Sequence, residues 1–287
     1  MQQKHLLIIF ALLVTVGLLA ACSAAAQTQT APAEPAAQAN SPQVVKMPEV
    51  AIQLSDDGFT VPAKIPAGIV AVNISNSSTK FQEGGVVLGK LKEGVTYDEV
   101  KAPSSSDDLV TALGGAEHTI YNLAPGQYVV FFIGNVEGEP PLSSLITVKD
   151  EGNTAAPPTT EITAEMQDYN FILPDEIKAG KHIWHISNKG KQAHHLLMFQ
   201  LPKDVTVDDV IAWVSTEPPS GPPPFLNPDG PTIGAGFEVL SASQSAWAEI
   251  DLPPGEYTVF CLLPDMSAQP PMSHIAHGMH RILKVVE

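Results

Sequence analysis

The stretch "FTVPAKIPAGIVAVNISN", residues 59 to 76, can be laid without a gap on "FILPDEIKAGKHIWHISN", residues 171 to 188. Two further matches occur in the same order: "LKEGVTYDEV" (91–100) with "LPKDVTVDDV" (201–210), and "NLAPGQYVVFF" (122–132) with "DLPPGEYTVFC" (251–261). Ordered self-similarity of this kind marks one structural unit used twice.

Inside each copy the hydrophobic period is two. Val70, Val72 and Ile74 alternate with Ala71, Asn73 and Ser75, and Tyr128, Val130 and Phe132 form a second alternating set, as half-buried strands require. A Pro-Gly pair precedes each of Tyr128 and Tyr257 by a tight-turn distance. Thr96 with Glu99, and Thr206 with Asp209, match the N-terminal capping pattern, and Val207, Val210, Ile211 and Val214 then supply an apolar stripe. The 26 prolines and 21 glycines fit a turn-rich, all-β chain. The expected architecture is two tandem β-sandwiches, each with one short helix, over 46–150 and 160–287, joined by a linker at 151–159, "EGNTAAPPT".

Toward the amino terminus, Lys4 precedes a largely apolar run from Leu6 to Leu19, which is short for a membrane span and has the pattern of a signal-peptide core over residues 1–21. "LAAC" at its end resembles the bacterial lipobox. That resemblance implies that Cys22 is acylated as the first mature residue, so that the protein is lipid-anchored to a bacterial membrane, in the extracytoplasmic cell envelope, without spanning it. Residues 22–45 hold little besides Ala, Gln, Pro, Thr and Ser, too poor in large apolar groups to bury a core, and are expected to form a flexible tether.

The net charge is -16, and removal of residues 1–21 takes away Lys4, leaving -17. Such an acidic chain disfavours nucleic acid as a partner. With Cys22 acylated, Cys261 is the one thiol left, and no disulfide can protect it; burial or a metal must. A Gly-rich phosphate loop, a nucleophile elbow, an HExxH pair and a paired-cysteine zinc pattern are all absent from the sequence, so a carrier or binding protein is expected in preference to an enzyme.

The chemistry-bearing residues gather in "YTVFCLLPDMSAQPPMSHIAHGMHRILKV", residues 257–285, and in "NKGKQAHHLLMF", residues 188–199. A thiolate, two imidazoles and a thioether make up the soft donor set of type 1 copper. "NKGKQAHHLLMF" resembles the cupredoxin stretch in which Asn and Gly precede the first copper histidine and a Phe comes four residues after it. "GEYTVFC" resembles the strand that carries the copper cysteine, and "HIAHGM" has the spacing of the second histidine and the methionine. The resemblance to cupredoxins implies Greek-key sandwiches. It also implies one copper in the C-terminal copy, held by His195, Cys261 and His274 with Met279 axial, and one-electron exchange with a redox protein partner. His194, His277 and His280 are weaker candidates. Against the resemblance, twelve residues separate Cys261 from His274, where cupredoxins have only a few.

The first copy acts as an internal control. Laid on the second, it places Phe132 opposite Cys261, Ser144 opposite His274 and Glu83 or Gly85 opposite His195, with nothing opposite Met279. Two other functions fit the residues: a copper chaperone or scavenger using the histidines with Met266, Met272 and Met279, or a metal-free binding or scaffold module.

Overall fold

The computed structural model describes residues 46–81, 84–100, 109–115, 117–134, 141–216 and 221–287. The signal run, Cys22 and the tether lie outside the described residues, as does Glu83.

Alternation in the sequence becomes strands. The first copy forms β1 (Glu49–Ser55), β2 (Gly58–Thr60), β3 (Lys64–Pro66), β4 (Gly68–Asn76), β5 (Gly85–Leu91), β6 (Leu109–Gly114), β7 (His118–Leu123), β8 (Gly126–Ile133) and β9 (Ser143–Lys149). The second forms β10 (Ile162–Gln167), β11 (Asn170–Ile172), β12 (Glu176–Lys178), β13 (Gly180–Asn188), β14 (His194–Phe199), β15 (Gly234–Leu240), β16 (Ser245–Leu252) and β17 (Gly255–Phe260). A small hairpin, β18 (Pro264–Asp265) with β19 (Met272–Ser273), precedes its last strand, β20 (His280–Val286). Among the described residues, the nine strands of the first copy have nine counterparts in the second. Even the glycine that opens β4 and β13 recurs: Gly68 at φ +88° and Gly180 at +106° occupy the left-handed region that side chains avoid.

The two copies are not beads on a string. One sheet runs β11-β10-β13-β16-β7-β4-β1-β2 and the other β12-β20-β17-β14-β15-β6-β5-β8-β9-β3, so both sheets continue from copy to copy and each order reads equivalently from either end. The seams are antiparallel: Ala246, Trp247 and Ala248 of β16 face Tyr121, Ile120 and Thr119 of β7, and Val239 and Leu240 of β15 face Gly114 and Leu113 of β6. One apolar core extends through both halves, with Tyr121 and Phe237 edge to face across the seam at 6.3 Å. Residues 151–159 are not a free linker. Asn153 donates from Nδ2 to the carbonyls of Ala67 and Ile69, and Ala155 packs on a small outer cluster of Ile69, Ala71, Ile120 and Trp247, so the segment straps the seam.

The helix signals have unequal outcomes. Thr206 caps α1 (Val207–Val214): its Oγ1 accepts from Asp209 N at 3.3 Å, and Asp209 Oδ2 accepts from Thr206 N at 2.8 Å. The helix buries Val210 and Val214 against Leu197, Phe199 and Phe260 on the outer face of β14 and β17, and against Phe225 from the segment that follows it. In the first copy, Glu99 accepts from Thr96 N at 2.7 Å, but the chain then makes only a single 3-10 turn, Tyr97–Glu99.

Candidate metal centre

β17 delivers Cys261 at its end. Tyr257, Val259 and Cys261 all enter the core between the sheets, and the sulfur is wholly buried. The loop after it does return. β18 pairs with β19, His274 N donates to Leu263 O at 2.8 Å and Ile275 N to Cys261 O at 2.8 Å, so the excursion is a closed hairpin whose far end stands beside its start. Turn hydrogen bonds then carry the chain round: Gly278 N to Ile275 O at 2.9 Å and Met279 N to His274 O at 2.9 Å. Cys261 N donates to Met279 O at 3.3 Å, which seats Met279 in the same buried cluster as the cysteine.

The third side chain brought to this cluster is His194; the ring of the expected His195 lies outside it. His194 Nδ1 lies 3.0 Å from His274 Nδ1 and 4.0 Å from Cys261 Sγ, and His274 Nδ1 lies 3.4 Å from the same sulfur. Alternation explains the choice: His194, Leu196 and Met198 face the core, whereas Leu197 and Phe199 face α1, and His195 belongs to their side. His195 meets the sulfur through its backbone amide, at 3.2 Å, and its ring lies outside the donor cluster of His194, Cys261 and His274. His277 packs its ring at a tilt against Tyr169, centroids 4.6 Å apart, and lies 3.6 Å from Asp265, and the exposed His280 pairs in register with Phe260; neither joins the cluster.

The two imidazoles are held in the neutral form a cation would use, whereas the thiol is held protonated. Burial is the main influence on all three. It pushes the Cys261 thiol up to about 12 against amides of His195 and Leu263 that favour the thiolate. It brings His274 down to about 4, helped by His194, and lowers His194 despite Asp168. His195 falls to about 3 from burial and then from His274 and His194. The rings are neutral, with lone pairs available, and thiolate formation needs a positive partner. Bonds of about 2.0–2.1 Å to nitrogen and 2.3 Å to sulfur at trigonal or tetrahedral angles place ligand atoms about 3.3–3.8 Å apart. The observed 3.0, 3.4 and 4.0 Å bracket that range, so the residues fit a metal of this kind.

The outer contacts are polar and specific. Asp168, at the β10–β11 turn, accepts at Oδ1 from Lys191 N (2.8 Å) and Gln192 N (3.2 Å) and faces His194 Nε2 at 3.2 Å. Burial acts to raise its carboxyl, but these amides and the His194 ring prevail and lower it. Gln192 Oε1 faces His274 Nε2 at 3.2 Å. Asn188 ties the loop, donating to Gln192 O and Leu240 O, both at 2.7 Å.

Among the described residues the first copy has no such set, and the register corrects the equivalences. Leu88 faces Val130 as Met198 faces Val259, so Gly84 stands where His194 stands and Gly85 where His195 stands. Phe132 N donates to Leu142 O as Cys261 N donates to Met279 O, so Leu142 answers Met279, and Ser144 answers Arg281 in place of His274. A Cβ on Gly84 would collide with the Phe132 ring, which fills the space that the imidazole takes in the second copy.

Sequence and fold together define an all-β sandwich protein with a buried two-histidine, one-cysteine donor set. No protein-family model and no curated protein matches the chain. Solved structures similar to it include a dithionite-reduced auracyanin from Roseiflexus castenholzii, at 22% identity over 45% of this chain and 98% of that one, TM-score 0.30. Auracyanin A from Chloroflexus aurantiacus, a "blue" copper protein, matches at 18% over 43% and 97%, TM-score 0.28. A copper-containing nitrite reductase from Thermus scotoductus matches at 11% over 83% and 61%, TM-score 0.22. These likenesses are loose, and the donor set carries the functional reading.

Proposed function

We propose that the second copy is a cupredoxin domain in which His194, Cys261 and His274 would hold one copper ion, with the buried Met279 as a further candidate ligand, and that the protein is a one-electron carrier rather than a catalyst. The supporting observation is the convergence of two neutral imidazole nitrogens and a buried thiol within 4.0 Å of one another. Thiolate, imidazole and a distant thioether are the donors that suit copper in this geometry. When bound, the metal would supply reversible one-electron chemistry. The protein's part is to hold the ligands rigidly and to exclude water: His194, Cys261 and Met279 are 0% exposed and His274 1%. So closed a cage favours retention over hand-off, which sets the carrier above a chaperone that surrenders its ion. The first copy, with Phe132, Gly84 and Leu142 at three of the ligand positions, serves as its structural partner.

We further propose that Cys22 anchors the protein by lipid in the extracytoplasmic envelope of a bacterium, where a redox protein is its partner. Copper titration of the purified protein tests the central reading: one equivalent should bind and give an intense visible thiolate-to-copper band. Colourless binding, or no stoichiometric binding, would refute it.

A further inference from the structure

The two Nδ1 atoms that converge on the sulfur offer lone pairs to a metal only if each ring carries its proton on Nε2, and the residues behind the rings bear on that choice. We propose that Asp168 and Gln192 are positioning residues that fix His194 and His274 as Nε2–H tautomers, leaving both Nδ1 lone pairs turned toward Cys261. The metal-directed part of this proposal rests on the copper reading above.

An ionised carboxylate only accepts, so the 3.2 Å contact between Asp168 and His194 Nε2 requires the proton on Nε2. The second ring is reached through a longer chain. Asp265 is fixed by Ser267, whose amide and hydroxyl donate to its Oδ1 at 2.8 and 2.6 Å. Its Oδ2 accepts from the Tyr169 hydroxyl at 2.6 Å, so the Tyr169 oxygen is left to accept from Gln192 Nε2 at 3.0 Å. That turns Gln192 Oε1 to His274, where it accepts from Nε2–H at 3.2 Å. Neighbouring hydrogen bonds thus orient an amide whose two ends are otherwise alike.

Three features separate this arrangement from ordinary loop packing. Asp56 occupies the equivalent turn of the first copy and clamps the equivalent loop, accepting from Ser78 Oγ (2.6 Å), Thr79 N (2.7 Å) and Lys80 N (3.1 Å), but glycine stands there in place of the histidine. The clamp belongs to the fold; the contact with the ring belongs to the second copy. Tyr169 adopts φ +64°, uncommon for an aromatic residue, and that strained turn carries its hydroxyl to Asp265 and its ring to 5.4 Å from His274. Gly190 leaves the space open: a Cβ there would lie 2.8 Å from His194 Nε2 and would strike Asp168 Oδ1.

A carboxylate behind a ligating imidazole orients the ring and makes it a stronger donor, which favours the higher-charged metal and lowers the reduction potential. Asparagine at position 168 can still accept from the loop amides, yet it can present N–H to His194 Nε2 and so favour the Nδ1–H form, in which the metal-facing lone pair is lost.

The test begins with the metal-free whole protein and long-range nitrogen–proton NMR of its histidines. His194 should be Nε2–H in the metal-free protein, and His274 should be Nε2–H once Cu(I) separates the two Nδ1 atoms, which at 3.0 Å share a proton without it; an Nδ1–H form of His194 in the unaltered protein overturns the proposal without any variant. Asp168→Asn should shift His194 toward Nδ1–H, weaken Cu(II) binding about 10–100-fold and raise the potential. Asp56→Asn should change none of the three. Equal effects of the two substitutions would reduce Asp168 to a loop clamp and overturn the proposal. If the unaltered protein shows the expected His194 tautomer but takes up no copper, the copper reading fails while the positioning assignment of Asp168 stands.

Discussion

Glu238 is a carboxylate with no hydrogen-bond partner among the described residues, and replacing it with glutamine should make the protein more stable, increasingly so as pH rises. Its side chain leaves β15 at the seam and crosses to β5, where it lies over Gly85; a Cβ on Gly85 would collide with the carboxylate oxygens. Burial raises it from 4.5 to about 7. The folded protein therefore keeps the proton through a range in which the unfolded chain has released it. The contribution of Glu238 to stability is greatest below about 4.5, falls as pH rises through 7, and stays low above. The gap between the two values corresponds to about 3 kcal/mol. Because the residue is only half-buried overall, about 1–3 kcal/mol is the expected loss at pH 8. Glu238→Gln keeps the size and removes the charge. Urea unfolding of the metal-free protein at several pH values should give near-identical midpoints for variant and parent at about pH 4, with the variant pulling ahead by that amount at pH 8. A difference that stays constant with pH would refute the reasoning. Comparison of the two proteins is essential, because the buried histidines act in the opposite sense: His274, at about 4 in place of 6.5, removes stability as pH falls through that interval.

Cys261→Ser should abolish the visible copper band while leaving the fold, since the hydroxyl fits the buried site; an intense band that survives would dismiss Cys261 as a ligand. His194→Ala should eliminate stoichiometric copper binding, whereas His195→Ala, which leaves its sulfur-facing amide intact, should retain the band, and the reverse result in copper titrations would restore His195 as the ligand. Gly85→Ala should destabilise by ~1–3 kcal/mol through the collision with Glu238, as read by thermal or urea unfolding. Residues 46–150 produced alone would leave β6 and β7 as open edges, so this half should associate rather than remain a folded monomer, and light scattering after gel filtration should show a dimer or larger species.

Local pattern made most of the strands legible, because Val70, Val72 and Ile74 present one face to a core and the other to a more polar surface. Cys261 and His274 were also readable, as the soft residues of one short segment. The choice between His194 and His195 was not. β14 is buried along its whole length, with the second sheet on one side and α1 on the other, so "HHLLMF" has no polar beat from which to read a face. A register shift opposite His194 and Leu196, where β15 carries an extra residue, further loosens any count from neighbouring strands. Nor did the sequence show that the copies share sheets. The side chains of β6 and β15 satisfy a strand anywhere, and their partners are chosen by edges that only the folded halves expose. Composition at 151–159 suggested a linker for the same reason: Asn153 looks like a loop residue until the two carbonyls it bridges are in place.

The joining of the copies also governs how the protein meets its own kind. Each sheet has spent its longer edges internally, and the four outer margins that remain are β2, β3, β11 and β12, each three residues long. Lys64 and Pro66 on β3, and Glu176 and Lys178 on β12, further discourage a visiting strand. A chain so terminated offers neighbouring molecules almost no template for adding to its sheets. It can therefore be concentrated to high local density and stay a population of separate molecules.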